Sequence, residues 1–155
     1  MKNYFENAEA VARLQFHALE WLGTPFMPNA AVKGRGVSCQ KLVSAIYIET
    51  GFFPAGFTAP EGPMDWGNAQ KESLIARWVA AHPDLFAPAT AARPGDLLGL
   101  KIGGCIHHCG IVVDTGGQFI HCLRGPGAIL SHINDATYLQ RIEKIWRPVM
   151  EDKKS

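Results

Sequence analysis

No apolar run in this sequence approaches the roughly twenty residues of a membrane-spanning helix, and no segment concentrates charge of one sign. Fifteen Lys and Arg against fourteen Asp and Glu leave a net charge of +1, so there is no electrostatic reason to expect nucleic acid or an acidic membrane surface as partner. The amino-terminal stretch lacks the unbroken apolar core of a secretory signal, because Glu6, Glu9 and Glu20 interrupt it. Synthesis in the cytoplasm is therefore expected; delivery to a cell wall by a phage or tail-like route would leave no mark in the sequence. There is no internal repeat and no low-complexity tract beyond the charged tail "EDKKS". Cysteine is sparse: Cys39, Cys105, Cys109 and Cys122 are expected to remain thiols in a chain without a signal peptide.

What is present is ordinary globular material. At 155 residues and 47% hydrophobic, the chain suffices for one domain, 1–155, that buries its core without staples. Val11, Leu14, Ala18 and Trp21 recur at helical spacing over 8–22, before the stop signal of Gly23 and Thr24-Pro25. The segment "MPNAAVKGRG" has neither period and reads as a loop leading to Ser38, a candidate N-cap. Leu42, Val43, Ile46 and Tyr47 form one stripe of a second helix ending at Gly51, and Leu74, Ile75, Trp78 and Val79 mark a third, ended by Pro83. From Arg93 onward, short apolar runs punctuated by Gly, Pro, Asn and Asp read as antiparallel strands. Helices first and strands after predict an α+β domain with helices packed on one face of an antiparallel sheet.

Two stretches carry candidate chemistry. In "VSCQKLVSAIYIETG", Cys39 opens a helix, where unsatisfied N–H groups and the helix dipole favour a thiolate. In "HHCGIVVDTGGQFIHC", two apolar runs flank a turn signal and read as a hairpin. A two- or four-residue loop pairs Asp114 with Gly117 or Val113 with Gln118; Gly110 then faces His121, and His108 and His121 become diagonal neighbours about 7–8 Å apart at the backbone. An odd loop would instead put His107 beside His121. Either histidine could take the Cys39 proton while His121 orients it. The plainer reading makes Cys39 a small core residue and the histidines satisfied strand or surface residues. Zinc bound by Cys105, His107, Cys109 and Cys122 is the chemical rival. However, Cys105 and Cys109 would lie about 13 Å apart on an extended strand, so buried thiols are expected there instead.

From Leu22 to Val149 the chain resembles the NlpC family of papain-like cysteine peptidases, which includes cell-wall hydrolases and phage-tail members. "LGTPF" is similar to the family's Gly-x-Pro-Tyr, "SCQKLVSAIY" to its Asp-Cys-Ser-Gly-Leu-Val helix start, "RPGDLLGL" to its Pro-Gly-Asp-Leu strand, and "HCGIVVDTGGQFIHC" to its His-x-Gly-Ile strand with a second histidine. The resemblance implies a papain-like fold and no metal or other cofactor. It also implies a Cys39 nucleophile, a His108 general base and a His121 that orients the base, acting through an acyl-enzyme on peptidoglycan stem peptides between D-glutamate and diaminopimelate. Ser38, Phe26 and Arg35 are the candidate substrate contacts. Ser38 stands where the family has the aspartate that holds a free amine, and Phe26 where it has a tyrosine. Gln40 and Lys41 replace small residues, and a helical insertion covers about 54–88. Two other functions remain compatible: an amidase or acyltransferase of the same fold on a non-cell-wall substrate, and a non-catalytic assembly or binding module of a phage tail.

Overall fold

Asn7 starts the first helix by accepting the Ala10 N–H on its side chain at 2.8 Å, and Ala10, Leu14 and Ala18 then bury one stripe at i, i+4, i+8. Val11 is only half-buried, so Ala10 takes the core position that the sequence pattern assigned to it. The computed structural model describes residues 1–57, 74–102 and 105–152. Its elements run β1 (Lys2–Asn3), α1 (Ala8–Leu19), β2 (Ala31–Val32), β3 (Gly36–Val37), α2 (Cys39–Glu49), α3 (Leu74–Ala80), β4 (Phe86–Ala89), β5 (Leu97–Ile102), β6 (Cys105–Val112), β7 (Gln118–Leu123), β8 (Gly127–His132), α4 (Ala136–Leu139) and β9 (Ile142–Met150). The chain is α+β, with helices first and an antiparallel sheet after, as expected. The expected insertion over 54–88 is seen only in part: 58–73 lie outside the described residues, α3 follows them, and β4 begins before its end.

The sheet runs β1-β9-β5-β6-β7-β8, with β4 also on β9. Leu14, Leu42, Ile46 and Tyr47 of the helices pack with Leu97, Ile111 and Ile120 in one large core. The opposite face is covered too: Leu98, Leu100, Val112 and Phe119 lie beneath Ile133, Tyr138, Ile142 and Ile145 of the β8–β9 connection and β9. Burial on both faces explains why "DLLGL" is a continuous apolar run rather than an alternation.

Beside β5, the fully buried Asp96 takes Arg147 of β9 in a two-pronged pair, Nη2 to Oδ2 at 2.8 Å and Nε to Oδ1 at 3.1 Å, and the Arg93 N–H at 2.8 Å. Burial pushes the Asp96 carboxyl up, and Arg147 opposes that shift. The "RPGD" segment therefore ties β5 to the last strand. Gly95 (φ +93°) is required there because a Cβ would lie 2.3 Å from the Phe5 ring. The β2–β3 hairpin falls in a segment that the sequence read as loop, and the edge strand β4, whose Phe86–Ala89 pairs with Pro148–Ile145, begins inside the expected helical insertion.

Candidate active site

The backbone ahead of Cys39 is held from several directions. Val37 donates its N–H to Pro25 and accepts from the Met27 N–H, and the Ser38 N–H bonds Ala30. Ser38 is the N-cap of α2, its hydroxyl accepting the Lys41 N–H at 3.4 Å, a contact whose loss costs about 1 kcal/mol in comparable helices. Cys39 is the first residue of α2 and half-buried. The first intrahelical bond is made by the Leu42 N–H to Ser38, so the N–H groups of Cys39 and Gln40 precede the helical ladder.

Facing this turn, β6 and β7 pair with Ile111 opposite Ile120 and Val112 opposite Phe119, and the Val113 N–H reaches Gln118 at 2.8 Å. The loop is thus four residues long, closed by the Asp114 carboxylate accepting the Gln118 N–H at 2.9 Å. Even parity puts Gly110 opposite His121 and makes His108 its diagonal neighbour, and the two rings meet with His108 Nε2 2.8 Å from His121 Nδ1. Gly110 makes room for that meeting, since a Cβ there would lie 2.8 Å from the Ile120 carbonyl and 3.2 Å from His121 Cβ. His107 does not take the place beside His121. The β5–β6 register steps from Leu100–His108 to Lys101–Ile106, leaving His107 as the extra residue of a bulge.

The second nitrogen of His121, Nε2, lies 2.8 Å from the Ser131 hydroxyl on β8. His121 is fully buried, packed against Phe119 (4.6 Å between ring centres) and edge-on to Tyr138 (5.1 Å). Burial, and then the charge of His108, lower its pKa to about 3, so it is neutral at ordinary pH. The Cys39 thiol is held well below its usual range. Hydrogen bonding to the Cys109 thiol is the largest cause; burial opposes it, and the hydrogen bond and charge of His108 lower it further. Cys109 moves the opposite way, since the two sulfurs share one interaction and Cys39 takes the negative charge at the helix N-terminus.

No family sequence model matches this chain, and no curated protein matches it in sequence. Solved structures do match. A lipoprotein-like NLP/P60 family protein from Staphylococcus aureus superimposes with a TM-score of 0.62 at 15% identity, covering 98% of this chain and 45% of that one. NlpC1 from Trichomonas vaginalis gives 0.60 at 18%, covering 93% of this chain and 47% of that one. The NlpC/p60 domain of the peptidoglycan hydrolase SagA gives 0.55 at 18%, covering 87% of this chain and 96% of that domain. This chain has the NlpC/P60 fold. It spans less than half the length of the first two of these proteins and nearly the whole of the third.

Within the NlpC/P60 fold the other candidate positions scatter. Phe26 bridges to Val37 and is half-buried, with the Arg124 guanidinium 5.9 Å over its ring. Arg35 lies on the exposed β2–β3 turn, donating its backbone N–H to Val32, so only nearness in sequence to Ser38 links it to a substrate. Cys122 is a buried free thiol directed at the Val37 carbonyl (3.2 Å), and Cys109, also buried and free, lies against Cys39, near both its sulfur and its carbonyl (3.7 Å). The side chain of Cys105 is outside the described residues. Elsewhere among the described residues, His17, Glu20 and Glu49 converge, but the Lys33 ammonium already lies 2.9 Å from Glu49 and 3.4 Å from Glu20. The sequence reading missed Ser131 and the contact of Cys109 with Cys39. Extending the hairpin register to β8, where Phe119 faces Ser131, would have found the first.

Proposed function

We propose that this protein is a cysteine hydrolase of amide bonds, with Cys39 as nucleophile, His108 as general base and acid, and His121 as the residue that orients His108. The observation that carries the reading is the 2.8 Å contact between His108 and His121 beside the half-buried Cys39 at the start of α2. Because Nε2 of His108 is engaged by His121, Nδ1 is the nitrogen left for the sulfur. His108 takes the thiol proton, and the thiolate attacks the carbonyl carbon as the C=O electron pair moves to oxygen. The N–H groups of Cys39 and Gln40, ahead of the helical ladder, donate to that oxyanion. Collapse breaks the C–N bond while His108 returns the proton to the departing amine, leaving a thioester on Cys39. Water, deprotonated by His108, then adds to the thioester carbonyl; collapse breaks the C–S bond and releases the carboxylic acid product while His108 returns the proton to the Cys39 sulfur.

The substrate we favour is a peptidoglycan stem peptide cut between D-glutamate and diaminopimelate. Support comes from the motif resemblance and from one structural neighbour being the domain of a peptidoglycan hydrolase. A substrate outside the cell wall is the second reading, favoured by Ser38, which cannot match a free amine with charge, and by Phe26, which has no donor. Digestion of purified peptidoglycan and free stem peptides, read by mass spectrometry with Cys39→Ala as control, tests both. Cleavage by the wild type alone supports the first reading. Products that persist in Cys39→Ala would sink the mechanism, and an inactive wild type would remove the stem-peptide assignment.

A further inference from the structure

We infer that Ser131 is a positioning residue: its hydroxyl holds His121 in the Nε2–H form and thereby keeps His108 presented to Cys39. The inference rests on the proposed role of His108 as base. Three contacts form one line from β8 to α2, Ser131 Oγ to His121 Nε2 (2.8 Å), His121 Nδ1 to His108 Nε2 (2.8 Å), and His108 to the sulfur. Ser131 faces Phe119 across the β7–β8 ladder, so it lies diagonally from His121 on the same face, as His108 does from the other side. Both ring nitrogens of a fully buried histidine are thus occupied by neighbours two strand positions away.

Proton counting then sets the direction of each bond. To accept the Cys39 proton on Nδ1, a neutral His108 must carry its own proton on Nε2 and donate it to His121. His121 therefore accepts on Nδ1 and, being neutral, holds its single proton on Nε2, where an acceptor is needed. Ser131 Oγ is that acceptor. The arrangement is unchanged when His108 becomes doubly protonated, so no proton beyond Cys39–His108 must move. In the opposite polarity Ser131 would donate to Nε2, His121 would be protonated on Nδ1, and neutral His108 would have its proton on Nδ1, unable to take one from the thiol.

Full-length wild type, Ser131→Ala and Ser131→Thr, each with 15N-labelled histidine, test this. In the wild type, nitrogen shifts should report His121 as protonated on Nε2 and bare on Nδ1 throughout the neutral range. Ser131→Ala should lose that tautomer preference, raise the pH midpoint for iodoacetamide alkylation of Cys39, and lower kcat about tenfold with little change in KM. Ser131→Thr, which keeps the hydroxyl, should restore all three. An Nδ1–H tautomer in the wild type would overturn the inference, even if Ser131→Ala does not fold. So would a Ser131→Ala protein with wild-type tautomer and kcat, or a Ser131→Thr protein as impaired as Ser131→Ala. Lack of wild-type turnover on stem peptides removes the proposed substrate, while the nitrogen shifts and alkylation profile still decide the role of Ser131.

Discussion

Replacing Gly110 by alanine should cost stability and activity together, and the structure sets the sign. Glycine within a strand is ordinarily worse than alanine by about 0.5–1 kcal/mol, so an unobstructed Gly→Ala change would stabilise the protein. Here the added Cβ would lie 2.8 Å from the Ile120 carbonyl, 3.0 Å from Phe119 Cδ2 and 3.2 Å from His121 Cβ. The first of these is backbone of the paired strand and cannot rotate away; the others belong to fully buried side chains. Overpacking of that kind costs about 1–3 kcal/mol, which exceeds the entropic gain, so a net loss of about 1–2 kcal/mol is expected. Relief by moving His121 would lengthen its 2.8 Å bond to His108 and slow alkylation of Cys39. Gly116 in the same hairpin is the control, since its added Cβ would meet only Asp114, at 3.5 Å or more. Urea titrations with equal m-values, paired with iodoacetamide rates at neutral pH, give both readings. A Gly110→Ala protein as stable as Gly116→Ala would refute the steric argument, and one that is destabilised but alkylated at the wild-type rate would refute the link to the imidazole pair.

Three further outcomes are expected. Asp96→Ala should destabilise by about 2–4 kcal/mol, because it strands Arg147 and the Arg93 N–H beside a buried position; a loss under about 1 kcal/mol in urea would show that the pair does not hold β9 in place. Iodoacetamide should label Cys39 well before Cys122, whose thiol burial pushes up to about 11, and before the raised Cys109; equal labelling in the folded protein would exclude an activated thiolate. His121, lowered to about 3 from an ordinary 6.5, binds its second proton more readily unfolded, so stability is full above about pH 6.5 and falls as pH drops toward 3, by up to about 4 kcal/mol. In His121→Asn that part of the acid sensitivity should vanish, and an unchanged pH profile would mean that other groups govern it.

Much of the local structure was legible in the residues themselves. Ser38 as N-cap, the stripe from Leu42 to Tyr47 and the positive φ of Gly51 (+85°) are short-range matters of capping, period and handedness, and each stands where the sequence put it. The strands after Arg93 were equally plain, being apolar runs between turn formers. By contrast, β4 is an edge strand containing Pro88, and β2 and β3 are two residues each. Such segments carry no periodic signal: β4 exists because β9 supplies its partner, and β2 and β3 because each is the other's.

For the candidate site the division is sharper. From the sequence came the residue types, their order and two permitted hairpin parities, since a loop containing Asp-Thr-Gly-Gly closes with either even or odd length. Only the tertiary structure chose between them. Ile111 and Ile120 had to lie on the face buried under α2, and a one-residue slip would have carried Ile120 and Cys122 out of that core. That same burial turned His108 and His121 toward each other across Gly110, put Ser131 behind them from a third strand, and set β6 against Cys39, from a helix about seventy residues earlier in the chain. Side-chain alternation is local, but the decision over which alternate faces the core belongs to everything packed against the sheet.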